Sequence, residues 1–296
     1  MLKHLFVGGL VAVMAAGAVL AQDWDKVEIK AEALRGNLHV LYGGGGNIGV
    51  SAGRDGVFII DDQYAPLSDK IKAALAGISD KPLRFVINTH FHGDHTGGNE
   101  NMGAVGAVII AHDNVRQRLT AGAFLKAFDY KMEPAVPAAL PVVTFSDEMS
   151  LHLNGEDARI IHVKNAHTDG DSIIHFKGSN IIHAGDTFFN DRLPFIDVSN
   201  GGSIDGMISA IKTVLALADD ETIIIPGHGL VTDKAGAVTY LAMLEESRRI
   251  IVALKSEGKT LEDIQVLDPL NEVNASWRSS PPEWVAKYIG FLFDSL

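Results

Sequence analysis

One short stretch carries side chains dense enough to do chemistry: Thr89-His90-Phe91-His92-Gly93-Asp94-His95-Thr96-Gly97-Gly98-Asn99. Four groups able to bind a cation, His90, His92, Asp94 and His95, fall within six residues of it. In an extended segment His90 and His92 point to the same side, because side chains alternate with period two. Two imidazoles on one side can grip one ion. Gly93 lets the chain bend, which turns Asp94 and His95 toward a second position. Neutral imidazole suits zinc, and a carboxylate suits any hard divalent cation. A lone His-x-His is most often a turn without metal. The full His-x-His-x-Asp-His run ahead of a Gly-Gly pair points instead to a metal centre.

The elements around this stretch must hold it still. Residues 83–88 form an apolar run that reads as a buried strand, and Gly97-Gly98 turn the chain afterwards. The cluster therefore falls at a strand-to-loop edge, where a rigid scaffold presents a site. Upstream, residues 39–42, 47–51 and 56–61 read as a strand meander. The glycines 43–46 between the first two read as a flexible hairpin tip, because a phosphate cradle would lead into a helix. Residues 66–78 place Leu67, Ile71, Ala74, Leu75 and Ile78 on one helical face. Residues 108–112 read as a strand, with Asp113 as the expected N-cap of the next helix. Residues 120–141 are less regular. Their Phe124, Leu125, Phe128, Tyr130 and Met132 are read as core, with a pocket wall as the alternative. Further on, 158–163, 172–176, 180–184 and 222–225 read as strands, and 206–218, 234–258 and 282–293 as helices. Such a pattern is compatible with two sheets packed face to face and helices outside. No linker marks a second domain.

Composition limits the function classes. The 296 residues carry 37 acids against 25 bases, a net charge of −12, and a surface this acidic repels phosphate backbones. Nucleic acid is therefore not an expected partner. Residues 1–20 have one Lys near the start, then an apolar run ending in Val19-Leu20-Ala21. This reads as a secretory signal cleaved near Ala21, with residues 22–296 as one domain in the periplasm or medium. Cleavage would remove Lys3 and no acid and leave −13. The apolar run is short for a membrane anchor and has no basic flank after it, so no stable anchor is expected. There is no Cys anywhere, which excludes disulfides, thiolate ligands and a thiol nucleophile.

The motif resembles the signature of the metallo-β-lactamase superfamily, and the resemblance extends over nearly all of the mature chain. It implies a four-layer αββα sandwich of the α/β class, with the site at one edge. It also implies three further ligands in fixed order, and the chain supplies each in a matching context: His167 in Asn165-Ala166-His167-Thr168-Asp169-Gly170-Asp171-Ser172, Asp186 in Ile181-Ile182-His183-Ala184-Gly185-Asp186-Thr187, and His228 in Ile223-Ile224-Ile225-Pro226-Gly227-His228-Gly229. By this resemblance a first zinc takes His90, His92 and His167, and a second takes Asp94, His95 and His228. Asp186 bridges them or joins the second. A hydroxide between the metals would attack a carbonyl, with Asp94 orienting it as the catalytic residue. Manganese, iron or cobalt are expected to be tolerated.

The implied function is a hydrolase of a small molecule with a carbonyl ring or ester, opening β-lactams. Lactone or thioester hydrolysis is the alternative, and a non-catalytic metal-bearing scaffold a third reading. Two positions depart from the best-known β-lactamases: Asp186 stands where they carry Cys, and Phe189 where they carry a Lys for the substrate carboxylate. The all-His/Asp ligand set resembles lactonases and glyoxalase II, although no basic cluster for glutathione is evident. Among the other histidines, His39, His112, His152, His162 and His175 are read as structural. His183 is a candidate partner of a ligand, and Arg192 and Lys164 are candidates for a substrate carboxylate.

Overall fold

The computed structural model describes residues 23–296, so the expected export signal lies outside the described residues. Strands β1 (Lys30–Ala33), β2 (Leu38–Tyr42), β3 (Ile48–Gly53) and β4 (Gly56–Ile60) form an antiparallel meander. After helix α1 (Ser68–Ile78), β5 (Leu83–Ile87) runs parallel to β4. The chain then passes through the short helices α2 (Gly93–Thr96) and α3 (Asn99–Ala104) into β6 (Val108–His112), parallel to β5. Helix α4 (Asp113–Ala121) leads to the small hairpin β7 (Ala123–Leu125) and β8 (Tyr130–Met132). Strand β9 (Val143–Phe145) completes a seven-stranded sheet of order β1-β2-β3-β4-β5-β6-β9. A six-stranded sheet follows in sequence order: β10 (Glu148–Leu153), β11 (Glu156–His162), β12 (Ser172–Phe176), β13 (Ile181–Phe189), β14 (Ile223–His228) and β15 (Thr232–Asp233). Helix α5 (Ile204–Leu217) is the crossover between the parallel pair β13 and β14. Helices α6 (Lys234–Ser256), α7 (Leu261–Leu267), α8 (Asn271–Trp277) and α9 (Pro282–Ser295) end the chain.

Strands apolar on both faces produce this layering. In β4, Phe58 and Ile60 point into the core between the sheets and meet Ile174, Phe176, Ile181 and Ile225 of the second sheet. Val57 and Ile59 point the other way and pack on Ile71 and Leu75 of α1. In the second sheet, Ile173, Ile182 and Ile224 pack outward with Met207 and Ile211 of α5 and Tyr240 of α6. The result is the expected αββα sandwich. Burying each such side chain stabilises the fold by roughly 1.5–3 kcal/mol. The three cores together fix the loops that leave the C-terminal ends of β4, β5, β13 and β14 at one edge.

Several local expectations change. The N-cap of α4 is His112, not Asp113: its Nδ1 accepts from the Asn114 N–H at 3.2 Å. Asp113 is the first helical residue, favourable there for its charge. The glycine tip 43–46 is not free. Gly46 N–H donates to the Asp94 carbonyl at 3.0 Å and Gln63 Nε2 donates to the Gly46 carbonyl at 2.7 Å, which pins the tip to the metal-motif loop. Strand β10 escapes the sequence pattern because its burial alternates between exposed and half-buried. Helix α7 is short and is held by a Thr260–Asp263 capping box rather than by a long apolar face.

Candidate metal centre

The edge described above collects side chains from four separate segments. His90 lies just after β5, and His92 caps α2, which carries Asp94 and His95. His167 comes from the loop between β11 and β12, Asp186 from within β13, and His228 from the end of β14. Their donor atoms form three overlapping groups able to hold a metal ion: His90–His92–His167, His90–His95–Asp186 and Asp94–His95–His228. His92 Nδ1 lies 3.1 Å from His90 Nε2 and 2.9 Å from His167 Nε2, so three imidazole nitrogens face one point. Asp94 Oδ2 is 3.5 Å from His95 Nε2 and 3.3 Å from His228 Nε2. Asp186 stands between the groups, with Oδ1 3.1 Å from His95 Nε2 and Oδ2 3.6 Å from His167 and 3.4 Å from His228.

Four of the five imidazoles, those of His90, His92, His95 and His167, are aimed by a partner on their other nitrogen. Asp61, at the end of β4, accepts His95 Nδ1–H at 2.8 Å through Oδ2. The same oxygen accepts the Thr89 hydroxyl at 2.8 Å, and Oδ1 accepts the Thr89 N–H at 2.7 Å. The Thr89 hydroxyl, 3.0 Å from His90 Nδ1, accepts that proton in turn. Asp197 Oδ2 accepts His92 Nε2–H at 3.0 Å, and the Phe195 carbonyl accepts His167 Nδ1–H at 2.8 Å. The remaining nitrogen of each of these four rings thus faces inward, where it can offer a lone pair when the ring is neutral. The sequence reading missed Asp61, Thr89, Asp197 and Phe195. Asp61 had a signal, since paired acids directly after a fully apolar strand demand partners; Asp197 had none.

The donor set fits divalent cations. Asp186 Oδ1 and His95 Nε2 are buried yet make no hydrogen bond, although they lie 3.1 Å apart. Buried polar atoms left so are costly unless something else satisfies them. Burial keeps His90 well below the ordinary imidazole value and His167 down at about 4, so both present neutral lone pairs. Burial also acts to lower His228, but Asp186 and Asp94 outweigh it and hold the ring up at about 9. The same carboxylates, with Asp61, raise His95 against its burial. This half of the site therefore concentrates negative charge that calls for a cation. Close approach is built in by glycine: a Cβ at Gly46 would meet the His95 ring at 2.1 Å, and one at Gly227 would meet Asp186 Oδ1 at 2.0 Å.

Other predicted residues fall elsewhere. His183 is buried and bonds the Asn47 carbonyl at 3.1 Å rather than a ligand, while Asn47 Nδ2 donates to the carbonyls of Pro226 and Gly229 beside His228. His112 and His162 stack on each other at 3.7 Å and bond backbone carbonyls. Phe189 is buried and lies parallel to His228 at 5.3 Å. Arg192 is held by both oxygens of Asp191, and Lys164 is exposed. Phe128 packs on Phe195, whose ring stacks on His92, so part of the irregular segment does flank the site.

Known proteins give the same picture. The family model of the metallo-beta-lactamase superfamily matches residues 41–228. A hydroxyacylglutathione hydrolase of Nitrosococcus oceani is 26% identical over 229 residues, 75% of this chain and 78% of that protein. One from Polaromonas sp. is 28% identical over 166 residues, and the match spans only 55% of that protein's length. Among solved structures, a metallo-beta-lactamase from Pontibacter korlensis matches with a TM-score of 0.60 at 13% identity, over 74% of this chain and 99% of that one. With the sandwich, the four segments that bring the His/Asp cluster together and a family match over more than half its length, the chain belongs to the metallo-beta-lactamase superfamily.

Proposed function

We propose that this chain is a dinuclear zinc hydrolase that cleaves an ester-class carbonyl bond, a lactone or thioester, with water. The carrying observation is the convergence of seven side chains from four segments on two adjacent points, with Asp186 between them. His90, His92 and His167 would hold one ion, and Asp94, His95 and His228 the other. Ions bound there supply Lewis acidity to a water and to the scissile carbonyl. Asp94 is the residue suited to orient that water rather than to take its proton: its carboxylate is partly exposed, at 22%, and lies 3.3 Å from His228 Nε2. Burial acts to raise it, but His95 and His228 outweigh that and hold it well below the usual carboxylate range. The rings of Phe189 and Phe195 cover His228 and His92 and keep bulk water off the imidazoles.

The choice of bond class follows from charge. A β-lactam substrate brings a carboxylate that needs a free cation. Phe189 offers none and Arg192 is already paired with Asp191, which leaves the exposed Lys164 as the candidate outside any ion pair among the described residues. The relatives named hydroxyacylglutathione hydrolase support the ester class as well. The composition of residues 1–21 supports action in the periplasm or medium; N-terminal sequencing of the exported protein should begin near Gln22.

The test is kcat/KM of the zinc-loaded protein on a lactone, a thioester and a β-lactam. The expected order puts the esters first, with His167→Ala and His228→Ala each losing at least the roughly 10–100-fold that even outer partners of a metal site are worth. A β-lactam turned over faster than either ester would reverse the assignment. Activity surviving both substitutions would refute the metal roles.

A further inference from the structure

Of the three partners that aim the first-site imidazoles, the Thr89 hydroxyl lies beside His90 itself, and the Phe195 carbonyl and Asp197 lie on residues 190–197. This segment has no helix or strand of its own. A loop without ladder bonds keeps an imidazole partner in register only if something else fixes it. Here the corner between α8 and α9 does so. Trp277 Nε1–H donates to the Arg192 carbonyl at 3.0 Å, and Trp284 Nε1–H donates to the Leu193 carbonyl at 2.7 Å. Leu193 N–H donates to Ser280 Oγ at 2.9 Å. Ser280 is itself fixed, since its N–H donates to Asn274 Oδ1 at 2.7 Å and its carbonyl accepts from Asn274 Nδ2 at 2.9 Å. Leu193 is fully buried, and the Phe195 ring packs against Phe291 of α9 at 5.2 Å. All these C-terminal residues lie outside the stretch that the family model matches.

The second half-site is oriented from elsewhere. Asp61 aims His95, and Gly46 N–H holds the Asp94 carbonyl. The loop reaches that half at Asn190, whose N–H donates to the His228 carbonyl at 2.8 Å. The corner touches Asn190 through Arg278, whose Nη2 donates to Asn190 Oδ1 at 2.6 Å, and not through Trp277, Ser280 or Trp284, which clamp Arg192–Leu193.

We propose that the α8–α9 corner is a positioning device for the first half-site: Trp284, Trp277 and Ser280 hold Arg192–Leu193 so that Phe195 and Asp197 meet His167 and His92. The proposal rests on the metal-centre reading above. It makes ion binding at His90–His92–His167 and docking of α9 mutually supportive, since coupling between two sites is reciprocal.

The probe is zinc, titrated into chelator-stripped full-length protein against a chromophoric competitor that resolves two binding steps. Trp284→Phe keeps an aromatic ring but removes the N–H donor together with the five-membered part of the indole, so the Ser280 pair, which changes a hydroxyl alone, is the cleaner comparison. Ser280→Ala removes the acceptor, whereas Ser280→Thr keeps a hydroxyl. Trp284→Phe and Ser280→Ala should each weaken one zinc step by up to about tenfold, the low end for outer partners of a metal site, and leave the other within about twofold. Ser280→Thr should restore the weakened step. In a His167→Ala background, where only the second half-site can bind, Trp284→Phe should change nothing. Amide exchange in α9 should slow when zinc is added to the wild type, and slow less in Trp284→Phe. Equal weakening of both steps, or loss confined to the melting temperature of the metal-free protein, would show the corner to be a general fold support and overturn the proposal. A wild type that binds no zinc would instead remove the metal-centre reading, and this proposal with it.

Discussion

Asp61→Asn is a near-isosteric change that tests the proton logic of the site. Asp61 is fully buried at a backbone φ of 65°, a conformation Asn adopts readily, so the change leaves the chain path alone. Its two oxygens accept three protons, from the Thr89 N–H, the Thr89 hydroxyl and His95 Nδ1–H. The Thr89 backbone N–H cannot become an acceptor, so the Asn carbonyl must take that position. The amide NH2 then faces the Thr89 hydroxyl and His95 Nδ1. The hydroxyl must turn to donate to His90 Nδ1, which lies 3.0 Å away. Both His95 and His90 are thereby driven to carry their proton on Nε2, the nitrogen that faces the metal points. Keeping the metal-competent forms instead would strand two buried donors, at about 1–3 kcal/mol each, or about 2–6 kcal/mol together. That corresponds to a loss of metal affinity of roughly 30-fold or more. Outer partners of metal ligands typically carry roughly 10–100-fold, so the overlap, roughly 30–100-fold, is the expected loss. One affected imidazole belongs to each half-site, so both zinc steps should weaken in a chelator competition. The metal-free protein should melt close to wild type, because every bond is remade with the protons exchanged. Two zinc ions retained within about threefold of wild-type affinity would refute the assigned proton positions and with them the role of Asp61.

Three other outcomes follow from the same geometry. Gly46→Ala should abolish the second zinc step and spare the first, since its Cβ would meet a His95 ring fixed between Asp61 and Asp186; a chelator titration reads this. Burial pushes the Asp171 carboxyl up to about 8 despite its bonds from Thr168, so the group stabilises the fold while protonated, and that contribution fades as pH rises through about 8. Stability of the metal-free protein should fall between pH 5 and 8 by on the order of 1.4 kcal/mol per pH unit from this group, and denaturant unfolding of Asp171→Asn should show a flatter profile. Asp186→Cys should narrow the metals that support turnover toward zinc, because a thiolate is softer than a carboxylate; an unchanged preference among zinc, manganese and cobalt would mean that residue 186 touches no ion.

The sequence by itself determined the local half of the site. The period of an extended segment put His90 and His92 on one side, Gly93 turned the chain, and His92 Nδ1 does stand 3.1 Å from His90 Nε2. The strand pattern was compatible with the layering but did not fix it; the resemblance implied the sandwich, in which strands such as β4, apolar on both faces, are covered twice. His167, Asp186 and His228 were readable only through the resemblance of their contexts, since nothing local says that they meet. What tertiary structure alone decided is the shell that aims the imidazoles of the candidate site. Asp197 meets His92 across 105 residues of chain, and Trp284 meets Leu193 across 91, with no periodicity, spacing or composition linking either pair. The hairpin glycines do form the tip between β2 and β3, but the reading of it as flexible lacked the across-space neighbours: a Cβ at Gly46 would meet the His95 ring and one at Gly45 the Asp94 carbonyl, both brought there by another segment. Patterns along a chain report which face is buried; which group lies across the gap is settled only when sheets, crossover and C-terminal helices pack together.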